Sequence, residues 1–249
     1  MIRTGENTQQ TLEPIVALVG GFNSGNPDEI PNEDSRIAGF DDTNLFADSR
    51  FTGLDRWEAG SRIDYGIRYG VDGNSFSVRT LVGQSYRFYK DPEIPDGTGL
   101  EGHFSDIVAR VEATLSPYLD IIYRARIDNK DGKLRRNEVD AIMGPESFRV
   151  TLGYLDLKSG ADEMDPTAPL LPREEVRGAV AYKFSRYWQA IGSYIYDIGR
   201  DASVAARGGI IYEDECLRFG IVLDRRFTSD RDIRPDTSVI LKIALKNLG

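Results

Sequence analysis

From Trp57 to Val71 the chain alternates. One set of positions reads Trp57, Ala59, Ser61, Ile63, Tyr65, Ile67, Tyr69 and Val71, the other Glu58, Gly60, Arg62, Asp64, Gly66, Arg68 and Gly70. A period of two over this length is the mark of a β-strand with unlike faces. "DGN", Asp72 to Asn74, supplies turn chemistry, and the alternation resumes over Ser75–Lys90. The same reading predicts strands over Leu12–Val19, Phe104–Leu115, Leu119–Asp128, Leu134–Met143, Phe148–Leu157, Val176–Phe184, Tyr187–Asp197, Ser203–Tyr212, Cys216–Phe227 and Thr237–Leu248, about twelve in all. No segment carries a convincing helical period.

The links between these strands alternate too. Gly20–Arg56, Asp91–His103, Asn129–Lys133, Lys158–Glu175, Ile198–Ala202 and Thr228–Asp236 are the longer ones. Between them fall tight turns at Asp72–Asn74, Ser116–Tyr118, Gly144–Ser147, Ser185–Arg186 and Glu213–Glu215. One trimmed rim and one elaborated rim is the plan of an antiparallel transmembrane β-barrel. Soluble up-and-down barrels and β-sandwiches share the period of two. Arg, Asp and Glu recurring at mid-strand on the polar face favour a hydrated lumen. Aromatics near strand ends, among them Trp57, Tyr86, Phe88, Tyr182 and Trp188, favour interfacial girdles.

Composition removes several function classes. No run of 18 apolar residues is present, which excludes a transmembrane helix and leaves a barrel open. A net charge of −9 argues against nucleic acid as a partner, since that role needs a basic footprint. One cysteine in 249 residues allows no internal disulfide. The opening MIRTGENTQQTLEP lacks a signal-peptide core, so an exported chain of this sequence is expected to be a fragment or mature form.

The words of the sequence are also informative. IPNEDSRIAGFDDTNLFADSRFTGLDRWEAGSRIDYGIRYG (Ile30–Gly70) and YEDECLRFGIVLDRRFTSDRDIRPDTSVILKIALKNLG (Tyr212–Gly249) resemble the lipopolysaccharide-assembly outer-membrane family LptD, also called OstA or organic solvent tolerance protein. The likeness is to its alphaproteobacterial branch and runs from about Leu12 to the end. It implies a position in the cell outer membrane of a Gram-negative bacterium. Residues 1–249 would then be the C-terminal part of a larger barrel, without the family's N-terminal periplasmic jellyroll. The implied function is assembly of lipopolysaccharide into the outer leaflet. The implied partners are lipopolysaccharide, outer-membrane lipid, an LptE-like lipoprotein plug, and a periplasmic transport bridge reached through the missing N-terminal domain. The alternative is a self-contained small porin or adhesin-type barrel.

Candidate site residues follow from both readings. Alternation in the last strand puts Val239, Leu241, Ile243 and Leu245 on the outward face and Lys242 and Lys246 on the lumen side. The resemblance makes this strand one lip of a lateral gate, where the lysines would attract phosphate-bearing headgroups. Asp230, Asp232 and Asp236 have carboxylate spacing that could hold a hard cation, though the glycine and glutamate of a calcium loop are missing. FDDTNLF (Phe40–Phe46) lies in the longest link, and the resemblance makes it an ordered loop that shapes the lumen or meets the plug. Cys216 falls at the rim of tight turns. Family members that use disulfides bond cysteines of this region, often an adjacent pair where this chain has one, to the N-terminal domain, which implies that Cys216 is half of such a bond; the alternative is a free thiol that packs as a small hydrophobe. His103 is the only histidine and has no partner motif, so the sequence predicts no enzyme and no cofactor.

Overall fold

A computed structural model describes residues 1–5, 7–22, 26, 39–51, 53–92, 94–158, 172–228 and 234–246. It is all-β, with no helix among the described residues. Thirteen strands run in chain order: β1 (Ile2–Thr4), β2 (Thr8–Val19), β3 (Arg62–Gly73), β4 (Ser77–Arg87), β5 (Ile107–Ser116), β6 (Leu119–Ile127), β7 (Leu134–Met143), β8 (Phe148–Leu157), β9 (Arg173–Lys183), β10 (Trp188–Asp197), β11 (Ala202–Glu213), β12 (Leu217–Arg226) and β13 (Asp236–Leu245). Each neighbours the next in one sheet, and the registered pairs are antiparallel.

Two departures from the expectation fall early in the chain. The short β1 pairs with β2, Ile2 opposite Thr11, and three residues are too few to display a period. The strand expected from Trp57 begins only at Arg62, because Gly60 adopts φ 83° and breaks the extended run. Ala59 just before it donates its N–H to the Asp91 carboxylate rather than to a neighbouring strand.

The chain divides into two compact units. Residues 1–115, 122–138 and 156–173 form unit 1; residues 116–121, 139–155 and 174–249 form unit 2. In both, burial is inverted relative to a water-soluble protein. The large apolar side chains of the strands are exposed: Leu18 and Val16 in unit 1, Leu223, Val239, Leu241 and Ile243 in unit 2. Charged side chains are the largest group among the buried residues described, with Arg50, Glu58, Arg62, Asp64 and Arg87 each 3% exposed or less. Exposed apolar faces of this extent are tolerated where lipid, not water, is the solvent.

Aromatic rings gather at strand ends. Tyr86 packs against Phe88 and Phe104 at 5.2 and 4.8 Å where β4 meets the link to β5. In unit 2, Trp188 and Tyr187 pack on Tyr212 at 5.2 and 6.0 Å beside the tight turns. Rings with an apolar body and a polar edge suit a membrane–water boundary.

Candidate functional site

The long link between β2 and β3 returns over the charged face of unit 1 as a tongue, residues 39–51. Its conformation is written locally in FDDTNLF. The Asp41 carboxylate accepts from the Thr43 N–H at 2.8 Å, and the Asn44 side chain accepts from Asp41 N–H at 3.0 Å while donating to the Gly39 carbonyl at 2.7 Å. These side-chain bonds replace the ladder bonds that a non-strand segment lacks.

Two glycines receive the tongue. Gly66 of β3 and Gly83 of β4 are directly opposite each other. A Cβ on Gly83 would collide with Leu45 Cδ2, and one on Gly66 would lie 2.8 Å from the Val82 carbonyl and 3.3 Å from Phe46. The missing side chains leave a dent that Leu45 and Phe46 fill. Phe40, Leu45, Phe51, Ile94, Leu100 and Val108 form the buried apolar cluster around it, with Phe46 and Leu81 packed alongside. The apolar core of this unit is therefore built by loops on the charged face, not by the apolar face of the sheet.

Three layers of charge lock the tongue down. Arg50, with a side chain 0% exposed, donates to Glu58 at 2.8 Å, to Asp64 at 2.7 Å and to the Leu45 carbonyl at 3.1 Å, and its guanidinium lies 5.1 Å from the Phe40 ring. Arg62 joins the same carboxylates, reaching Asp64 at 3.1 Å and the Asp48 carbonyl at 2.9 Å. Arg87 approaches Glu58 at 3.7 Å and donates to the Leu100 carbonyl at 2.7 Å. Charges this deeply buried survive only when paired and hydrogen-bonded on several sides.

Further along, Asp42 meets Arg110 at 3.3 Å and Arg124 at 3.6 Å, and Asp41 meets Arg136 at 3.1 Å. Three successive strands thus each contribute an arginine to the tip of the tongue. Burial and the neighbouring Asp41 raise the Asp42 carboxyl above the usual carboxylate range, against the two arginines that lower it. A second link, residues 88–106, is held by Arg126, which donates to the Thr98 and Gly97 carbonyls at 2.8 and 2.9 Å. Asp106, 3.4 Å from Arg126, is raised to about 6, mainly by burial. On the next link, Asp128 is lowered to about 2 by the Lys130 N–H and the Arg135 guanidinium.

The residues expected from sequence are more scattered. Val239, Leu241, Ile243 and Leu245 lie on one face of β13, opposite Leu223, Ile221, Phe219 and Leu217 of β12, and are 59–70% exposed. Lys242 lies on the other face beside Gly220. Lys246 is in the turn past the strand, its Nζ 2.6 Å from Glu213 and its N–H bonded to the Cys216 carbonyl at 2.7 Å. Cys216 sits in the turn between β11 and β12, not in the strand expected from it, with an exposed thiol. Its N–H donates to Asp214 at 2.8 Å. Asp236 opens β13 opposite Arg226, while Asp230 and Asp232 lie outside the described residues. His103 is exposed and holds the Arg87 carbonyl at 2.7 Å. Among the described residues no group of three His, Cys, Asp or Glu side chains is placed to hold a metal.

Sequence reasoning did not find the Arg50–Glu58–Asp64 network. Its only visible signal was the density of arginines and acids across RFTGLDRWEAGSRIDYG, of which Arg50–Arg56 were read as the end of the longest link and Trp57–Gly66 as part of a strand.

An antiparallel meander with an exposed apolar face, boundary aromatics and a charged face packed by its own loops belongs to the outer-membrane barrel class. A family model described as "LptD: LPS transport system D" matches residues 1–188, and the chain belongs to that family. It is 26% identical over 248 residues to the "LPS-assembly protein LptD" of Marinobacter nauticus, covering 96% of this chain and 29% of the relative. The protein of the same name from Hahella chejuensis is 25% identical, with 98% and 30% covered. That from Vibrio cholerae is 21% identical, with 88% and 30% covered. The chain spans about three tenths of the length of these curated relatives.

Proposed function

We propose that this chain is a barrel segment of the outer-membrane translocon that assembles lipopolysaccharide into the outer leaflet. The family match over residues 1–188 carries this reading, and the inverted burial of the strands supports the membrane position. The remainder of the barrel, a periplasmic N-terminal domain and a lipoprotein plug of the LptE kind complete the machine. The transport bridge delivers lipopolysaccharide to it from the periplasm.

In this reading β13 is one lip of a lateral gate. Its apolar ladder faces lipid, Lys242 faces the aqueous side, and Pro235 just before the strand can donate nothing to the ladder. Cys216, exposed in a tight turn at the rim, is available to bond a cysteine of the N-terminal domain. A freely conducting porin is disfavoured by the tongue, whose buried ion pairs occupy the charged face of unit 1.

Photocrosslinking from Val239 and Leu241 in the intact complex tests the gate. Adducts with lipopolysaccharide are expected from both positions, and their absence would sink the assignment. Non-reducing electrophoresis of the full-length protein tests the bond, since Cys216→Ser is expected to change its mobility.

A further inference from the structure

The outward face of β12 changes character at one end. Leu217, Phe219, Ile221 and Leu223 stand on that face, and the next outward position is Arg225. Its neighbours across the strands are Ala206 of β11 and Thr237 of β13. The climb from Leu217 to Arg225 is about 20 Å, at about 3.3 Å per residue on strands tilted about 40°. Arg225 thus stands near the edge of an apolar band about 25 Å tall. The link that follows belongs to the longer set, which makes this the external edge.

The guanidinium is exposed and has no acid to hold it. Asp224, its neighbour in the chain, points to the opposite face and is taken by Arg207. No carboxylate among the described residues pairs with Arg225, which lies instead 4.8 Å from the centre of the Phe227 ring. The backbone places that ring. Phe227 N–H donates to the Val204 carbonyl at 3.0 Å, and Val204 is the residue left over where the register of β10 and β11 shifts. A bulge re-aims the chain at a strand end, and stacking orients a guanidinium without neutralising it. Tyr194 lies beyond Ala206 in the same row, its hydroxyl 2.6 Å from Ser203 Oγ.

Toward the middle of the wall, Gly192 of β10 and Gly208 of β11 are directly opposite, with Leu223 next in the row. A Cβ on Gly208 would meet nothing within 4 Å, so a trough runs down from the cation. A ligand for this place is anionic at one end and apolar below. A soluble anion gains nothing from the trough, and an uncharged lipid leaves the guanidinium unanswered. Lipid phosphates lie at this depth, and a guanidinium binds phosphate through two parallel hydrogen bonds.

We propose that Arg225, stacked on Phe227 and flanked by Thr237, is a site on the outer wall for the phosphate of an outer-leaflet glycolipid. One acyl chain lies in the trough over Gly192 and Gly208. The choice of glycolipid rests on the lipopolysaccharide reading; the phosphate and the place rest on the unpaired charge and the register. On the strand beside β13, the site holds a lipid that has already left the gate.

The test uses the full-length protein with its lipoprotein partner in phosphatidylcholine vesicles containing lipid A. A photoreactive residue stands at Ala206, beside Arg225 and two strands from β13. Crosslinks to lipid A are expected there, falling about tenfold in Arg225→Gln with the loss of a charge-assisted phosphate contact. Arg225→Lys, which keeps the charge without the planar fork, should give an intermediate yield. Gly208→Val should lower the yield by filling the trough. Retained heat-modifiable mobility on gels shows that each variant is folded. An unchanged yield in Arg225→Gln, an equal yield from lipid A stripped of its phosphates, or equal displacement by phosphatidylglycerol would each overturn the proposal. The gate fails separately: absent crosslinks from Leu241 with the Ala206 yield intact would remove it and leave this site assigned.

Discussion

Units 1 and 2 are made of the same kind of strand, yet their charged faces are finished in opposite ways. In unit 1 a loop covers the face, and arginines and acids are taken fully out of water. In unit 2 the corresponding face is left thin. Ala179, Ala181, Ile191 and Ile211 occupy its middle, and of the buried apolar residues described only Val222 belongs to this unit. Its ion pairs stay wet: Arg177–Asp140 at 3.0 Å is 36% and 20% exposed, and Arg207–Asp224 is 53% and 22% exposed. The face of unit 2 is thus an aliphatic surface that the described loops leave uncovered. A filled face makes a rigid wall.

The largest effect should come from the charge at the centre of the wall. Arg50→Ala leaves the buried Glu58 and Asp64 with Arg62 as their one remaining shared cation, and is expected to destabilise unit 1 by about 3 kcal/mol. Urea unfolding in detergent would read the loss, and limited proteolysis would read release of the tongue. Arg207→Ala removes a pair of similar chemistry in unit 2 and should cost only about 0–1 kcal/mol. Equal costs would erase the contrast between the faces.

Glycine substitutions sharpen it at a smaller scale. Gly83→Val drives a side chain into Leu45 and the Tyr65 carbonyl, for an expected loss of about 1–3 kcal/mol and a displaced tongue. Gly208→Val in unit 2 meets nothing within 4 Å and should stay within about 0.5 kcal/mol of wild type by the same unfolding measurement.

A smaller effect than those of the unit 1 substitutions is a pH dependence. Asp106 is raised from 3.8 to about 6, so the folded state binds a proton that the unfolded chain releases. Between those values stability rises as pH falls, by about 1 kcal/mol from pH 7 to pH 5. Asp106→Asn should flatten this part of the profile. Asp128, lowered to about 2, acts in the opposite sense: its contribution is complete above pH 3.8 and is lost as pH falls through about 2.

How much of this was legible depended on range. Strand positions were readable because the period of two is a local consequence of the pleat, and β6, β7 and β8 fall within a residue of the runs read from sequence. Alternation also misled where it continued past its cause. Trp57, Ala59 and Ser61 keep the rhythm of β3, but Glu58 turns to Arg50 and Arg62, and Gly60 ends the extension. For FDDTNLF the family resemblance implied an ordered loop that shapes the lumen or meets the plug, without naming the strand residues it would rest on. Its partners, Arg110, Arg124 and Arg136, lie on strands far along the chain, and no local pattern links them to Asp41 and Asp42.

That separation sets an order of events. The contact from Asp41 to Arg136 spans 95 residues, and the tongue precedes in the chain the strands β3 to β7 that it rests on. It cannot seat until β3 to β7 have paired, so it must wait through the formation of its own floor. Until then Arg50, Glu58 and Asp64 remain hydrated, and the unassembled chain carries them as solubilising charges. Docking of the tongue therefore follows strand pairing in the order of assembly. The network that makes the finished wall rigid would thus first serve as the polar coat that keeps its own strands from aggregating.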